Sequence, residues 1–175
     1  MTANLRHGLQ ALHEVLPAPS IQHLSFRVRQ AAYAVPIDGV REIIEYGDVT
    51  AVPMMPAFIH GVINLRGNVV PVLDLAARFG FELTAAGKRT CIVIIEPELD
   101  GSAQRIGLVV DAVDAVLDID PHQVVQAPPF GSGIRTDFIA GMARHEQGFT
   151  IILNIPQVLS LDDIRQLSLA VAQGS

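Results

Sequence analysis

Phe58-Ile59-His60-Gly61-Val62-Ile63-Asn64-Leu65-Arg66-Gly67-Asn68-Val69-Val70-Pro71-Val72-Leu73-Asp74-Leu75 reads as two apolar runs on either side of a tight turn. Gly67 and Asn68 are residue types that accept positive φ in short hairpin turns, so the stretch is a strand, a turn and a strand. Eighty residues on, Phe138-Ile139-Ala140-Gly141 repeats the opening of this segment, and Ile152-Leu153-Asn154-Ile155 repeats its close in the same ungapped register. Upstream, Ile37-Asp38-Gly39-Val40 matches Val110-Asp111-Ala112-Val113 at an offset of 73, and Pro53 matches Pro128 at 75. The offset drifts as loops of unequal length would make it drift. Coincidence among apolar residues is the alternative; the ungapped register favours a duplication. It predicts two similar all-β halves. Each would be near the size at which a lone core is marginal, so the halves are expected to share apolar surface.

Working outward, Leu5, Leu9, Leu12 and Leu16 recur at helical spacing until Pro17 and Pro19 stop the pattern. Residues 1–20 are therefore expected to be a helical extension. The period then becomes two: Leu24, Phe26 and Val28 alternate with Ser25, Arg27 and Arg29, and Tyr33, Val35 and Ile37 follow a short turn. Pro53, Pro56 and the Met54-Met55 pair mark a loop, with Pro56 placed to start a short helix over Ala57, Phe58 and Ile59. Asp74 can cap a helical turn that Gly80 ends. Cys91–Ile95, Ile106–Val110 and Thr150–Leu153 read as strands, and 127–136 as a Pro- and Gly-rich loop. Ser160-Leu161-Asp162-Asp163 resembles a capping box ahead of Ile164, Leu167 and Val171, so 161–175 is expected to be a helical tail after a domain spanning 21–160.

Composition narrows the function. The chain has 175 residues, of which 50% are apolar and only 17% charged, with a mean hydropathy of +0.38. That composition leaves ample apolar material for a packed core and argues against disorder. The longest apolar runs fall far short of the ~20 residues of a spanning helix. A net charge of −6 has the wrong sign for a nucleic-acid surface. Residues 1–20 carry His, Glu and Arg where a secretory signal needs an apolar stretch, and the single cysteine excludes a disulfide framework. A cytoplasmic protein without membrane insertion is expected.

The chemical inventory is thin. The six histidines lack metal-ligand spacing, and Cys91 lies in an apolar run where a thiol is usually inert packing. Asp111, Asp114, Asp118 and Asp120 lack the glycine and terminal glutamate of a calcium loop and read as a solvated face. No phosphate-cradling or nucleophile motif occurs, and neither metal nor cofactor is expected. A rival of another class is a small hydrolase or ligand-binding β-barrel using Asp74, His60 or His145. The inventory favours a binding module.

Val40-Arg41-Glu42-Ile43, Val49-Thr50, Pro53, the run Pro56 to Gly67 and Pro71-Val72-Leu73-Asp74-Leu75 closely resemble the bacterial chemotaxis coupling proteins, the CheW-like adaptors. Gly107–Val113 and Ala127-Pro128 agree, and the resemblance covers roughly residues 21–160. It implies a mainly β fold of two intertwined five-stranded SH3-like barrels, flanked here by the short N- and C-terminal helices. It also implies a non-enzymatic scaffold linking methyl-accepting chemotaxis receptors to the regulatory domain of a CheA-type histidine kinase, recruited from the cytoplasm to receptor arrays. The same resemblance places receptor contact at Val40, Glu42, Asn64, Arg66 and Gly67, and kinase contact at Pro129 and Phe130. By spacing alone Arg66 is a solvated turn residue; the coupling-protein motif makes it a functional one. Flagellar chemotaxis and a pilus-type chemosensory system both remain open.

Overall fold

Alternation over 59–74 produces β4 (Ile59–Leu65) and β5 (Asn68–Asp74), an antiparallel pair in the computed structural model, which describes residues 19–99, 101–127, 134–146, 148–159 and 165. Leu65 pairs directly with Asn68, which leaves Arg66 and Gly67 as the two central turn residues, at φ +53 and +87. The sequence reading put positive φ at Gly67 and Asn68. The register moves it one residue earlier, onto an arginine, and Asn64 Oδ1 accepts the Gly67 N–H at 2.9 Å to support the turn. The helix expected over Ala57–Ile59 is a turn instead, because Ile59 is already paired with Leu73. The helices expected in 1–20 and 161–175 lie outside the described residues, apart from Pro19 and Ser20, which form no element, and the single position Arg165.

The remaining strands are β1 (Ile21–Val28), β2 (Ala31–Pro36), β3 (Val40–Glu45), β6 (Cys91–Ile95), the small hairpin β7 (Glu98–Leu99) and β8 (Ser102–Ala103), β9 (Ile106–Val110), β10 (Ala112–Ile119), β11 (Val124–Val125), β12 (Ile139–His145) and β13 (Gly148–Leu153). One sheet runs β3-β6-β9-β5-β4 and the other β10-β1-β2-β13-β12-β11. The duplication seen in the sequence is therefore swapped in space. β1 to β5 form one repeat and β6, β9, β10, β12 and β13 the next, yet each sheet takes two strands from one repeat and three from the other. Each sheet joins the repeats twice, once by a parallel pairing (β5 with β9, β13 with β2) and once by an antiparallel one (β3 with β6, β1 with β10).

The hairpins obey the repeat closely. Phe58 O accepts the Asp74 N–H at 2.8 Å, and Phe138 O accepts the Asn154 N–H at 2.8 Å. Both hairpins bulge at the same point, Ile59/Gly61 and Ile139/Gly141. At the bulges each sheet curls to close: Thr50 exchanges two 2.8 Å backbone bonds with Val62, and the two-residue β11 pairs with β12. The glycines make that approach possible. A Cβ on Gly61, whose φ is +153, would lie 2.2 Å from Thr50 O, and one on Gly141 would lie 2.4 Å from Val124 Cγ1.

Each sheet buries both faces. Ile63, Leu65, Val70, Val72, Ile92, Ile94 and Val109 fill the interior of the first barrel, and Ala34, Ile119, Ala143 and Ile152 line that of the second. The outer faces meet in a larger common layer that includes Leu24, Phe26, Tyr33, Leu73, Leu108 and Leu153. Burial pushes the Tyr33 phenol pKa up within this layer. The short helices α1 (Leu75–Arg78) and α2 (Ile155–Val158) follow β5 and β13 and are repeat counterparts. Arg78 Nε donates to Val158 O at 2.7 Å, and its guanidinium lies 4.5 Å from the Phe58 ring centroid and 5.0 Å from that of Phe138.

Overpacking costs most where the neighbour is backbone that cannot rotate away. Gly61→Ala should destabilise the protein by about 3 kcal/mol in denaturant melts, and Gly141→Ala by only about 1 kcal/mol, since Val124 sits on a two-residue strand able to shift. Equal costs would mean that the two closures are not mechanically different.

Candidate interaction site

Glu42 lies in β3, and Arg66 stands at the tip of the β4–β5 hairpin, 24 residues later in the chain. Curling the sheet brings the two together. Arg66 donates from both terminal nitrogens to the two carboxylate oxygens of Glu42, at 2.8 and 2.9 Å. This bidentate fork is the strongest geometry available to a surface ion pair. Its hydrogen bonds hold the Glu42 carboxyl below the usual carboxylate range and raise the arginine in turn. The pair stays wet, with the Arg66 side chain 71% exposed, so it contributes little to stability. What it fixes is the direction of a guanidinium held on a turn with unfavourable φ, and such strain tends to accumulate at functional positions. Arg66 is thus partnered, where spacing alone suggested a solvated side chain.

Val40 begins β3, two positions before Glu42, and pairs with Ile95. Beside it lies a groove of about 460 Å³ between the two barrels, lined by Val35, Pro36, Ile95, Leu153, Ile155 and Pro156 among others. Most of its surface is apolar. Its walls come from β2 and β13 of one sheet, β6 of the other and the turn after β2, so only the swapped topology assembles it. Sequence reading did not name these residues individually. The signal that could have found them is the pair of prolines, Pro36 at the end of β2 and Pro156 in α2, each beside an apolar strand end. Ile43 and Val69 add exposed apolar surface on β3 and β5. Of the five residues assigned to receptor contact, the structure joins Glu42 to Arg66 and Asn64 to Gly67, and puts Val40 beside the groove. Pro129 and Phe130 lie outside the described residues.

The residues of the hydrolase reading are dispersed. Asp74 is fully buried; its carboxylate accepts the Ala77 N–H at 3.1 Å and the Thr84 N–H and hydroxyl at 3.0 Å each, which caps α1 and ties down the following loop. His60 Nε2 lies 2.6 Å from the Tyr46 hydroxyl in the first barrel, while His145 ends β12 in the second. The Cys91 thiol donates to Arg89 O at 3.2 Å. Among the described residues no group of three or more His, Cys, Asp or Glu side chains is arranged to hold a metal, and no helix is long and apolar enough to cross a membrane.

Two swapped SH3-like barrels with an apolar groove between them define a scaffold-type binding domain. Residues 22–163 match the CheW-like domain family, and the chain belongs to it. The chemotaxis protein CheW of Klebsiella aerogenes is 30% identical over 143 residues, which cover 82% of this chain and 84% of that protein. Protein PilI of Pseudomonas aeruginosa is 29% identical over 149 residues, covering 84% of this chain and 79% of its own. The crystal structure of the scaffolding protein TtCheW from Thermoanaerobacter tengcongensis superposes with a TM-score of 0.73 at 34% identity, over 83% of this chain and 91% of that one.

The depressed Glu42 carboxyl gives a direct test of the ion pair. Followed by carbon-detected NMR, Glu42 should remain ionised to lower pH than an ordinary glutamate, the pairing being complete at neutral pH and lost as pH falls through the lowered value. Arg66→Ala should return its titration toward the ordinary range. An unchanged Glu42 titration in that variant would show that the fork does not form in solution.

Proposed function

We propose that this chain is a non-catalytic adaptor that couples transmembrane chemoreceptors to the regulatory domain of a CheA-type histidine kinase, working at receptor arrays on the cytoplasmic side. The observation that carries this reading is the apolar inter-barrel groove beside Val40, with Glu42, held in a fork by Arg66, two positions further along β3. A groove of this kind suits the apolar face of a receptor helix. The charged fork supplies specificity and orientation more than affinity. Val40, Glu42, Asn64, Arg66 and Gly67 make up the receptor-facing edge in this proposal, and Pro129 and Phe130 contribute to a separate kinase-facing surface. With two partners on one rigid body, tethering raises the effective concentration of each for the other. The likeness to PilI favours a second version of the reading, in which the adaptor serves a pilus-type system. The physical mechanism is the same in both.

Arg66→Glu tests the assignment. The new side chain keeps the turn geometry, loses the ion pair and brings a second carboxylate near Glu42; at so exposed a tip the two can swing apart, so stability should fall by no more than about 1 kcal/mol. Affinity for the receptor's cytoplasmic tip should fall about tenfold or more, since disrupting a close interfacial charge contact commonly costs at least that much. Binding to the isolated kinase regulatory domain, measured by calorimetry, should fall much less. Intact receptor binding by the variant would remove Arg66 from the receptor surface.

A further inference from the structure

The two barrels are not filled alike. Ile94 pairs with Gly107 in the first barrel as Ser25 pairs with Ala34 in the second, and Val72 and Ile152 pair with the same two residues, so Ile94 corresponds to Ser25. By the 80-residue offset, Val70 corresponds to Thr150, Ile63 to Ala143 and Leu65 to His145. Aliphatic bulk in the first barrel is thus replaced by small or polar side chains in the second. The space left is a cavity of about 450 Å³, within the range of small-molecule sites.

Its polar floor is unusual. Ser25 and Thr150 line the cavity while only 3% and 2% exposed. Neither hydroxyl hydrogen-bonds to another described residue. No described side-chain oxygen or nitrogen is both sealed from solvent and unpartnered, so both hydroxyls open onto the cavity. Both hydroxyls are therefore within reach of a polar atom on a ligand. The walls add Leu117, Ile119 and Ala143. At the mouth, Arg27 is engaged by Asp114 at 3.2 Å and Arg144 lies over the Phe149 ring, whereas the exposed carboxylates of Asp118 and Glu146 form no ion pair among the described residues.

We propose that the second barrel binds a small organic cation: its ammonium group at Asp118 and Glu146, its apolar body along Leu117 and Ile119, and a hydroxyl or amide at Ser25 and Thr150. This site is independent of the adaptor reading, and its failure would leave that reading untouched. Tyramine is a suitable probe, because it carries all three features. Titrated into the full chain and followed by ¹H–¹⁵N NMR, it should shift the amides of Ser25, Thr150 and Asp118 saturably, with a Kd tighter than about 1 mM. Phenethylamine, without the hydroxyl, should bind several-fold more weakly, and 3-(4-hydroxyphenyl)propionate, with the opposite charge, should give no saturable shift. The paired change Asp118→Asn and Glu146→Gln, at exposed positions that do not support the core, should weaken tyramine about tenfold. Ser25→Val with Thr150→Val, which removes both hydroxyls and adds bulk at position 25, should weaken tyramine several-fold and erase its advantage over phenethylamine. No saturable shift with tyramine, an equal response to the propionate, or full affinity in the Asp118→Asn, Glu146→Gln variant would each overturn the site.

Discussion

Two parallel strand pairings, β5 with β9 and β13 with β2, oblige each barrel to close with strands from both repeats. Everything else in the fold follows from that exchange. Because the strands at the joints touch the partner barrel on one face and their own interior on the other, they are buried on both. Ile92–Ile95 and Ile106–Val110 are buried without interruption, unlike the alternating strands of a one-sided sheet. Half the chain is apolar and only 17% charged for this reason. Arg78 marks the meeting point. It donates to the carbonyl of its own repeat counterpart, Val158, between Phe58 and Phe138, which are counterparts of each other. From there an aromatic column continues through Phe79 and Tyr33 to Phe26, linking α1 to the first two strands of the chain.

The repeat was legible because its hairpins keep one register and one bulge; an ungapped 80-residue offset survives only where no loop intervenes. The swap was not legible. Nothing in a linear pattern says whether β6 pairs with β3 of the preceding repeat or closes on later strands, since both choices bury the same residues. The strands at the sheet margins were also hard to read. Over 112–119, Asp114, Ala115, Val116 and Asp118 are all exposed, so β10 presents as an acidic solvated stretch rather than as clean alternation. Ala57–Ile59 suggested a helix through the local effect of Pro56, but long-range pairing of Ile59 with Leu73 overrides that preference.

The candidate site divides in the same way. Asn64 and Gly67 are three residues apart, and their turn bond is a local matter that the sequence can express. Glu42 and Arg66 were singled out only by their likeness to the coupling-protein motif. Their pairing depends on closure of the first barrel at Thr50 and Val62, which depends in turn on the missing side chain at Gly61. The groove is further still from sequence, since its walls are drawn from both repeats and exist only after the exchange. Glu42 and Arg66 therefore acquire their physical relation only through glycine-dependent closure.

Duplication followed by exchange also leaves the two barrels with unequal duties. A scaffold joining two partners must keep its surfaces in a fixed relation, because slack between them dilutes the gain from tethering. Here that relation is held by the common apolar layer and the Arg78 contacts, which belong to neither barrel alone. The first barrel is packed with aliphatic side chains behind the Glu42–Arg66 fork, so the fork sits on a wall with little room to yield. The second can tolerate Ser25, Thr150 and Ala143 at interior positions because the common layer still buries Phe26, Tyr33, Ile151 and Leu153 on the other face of the same strands. Strands anchored on one face are free to vary on the other, and that freedom is what separates the two barrels chemically while the joints hold them together.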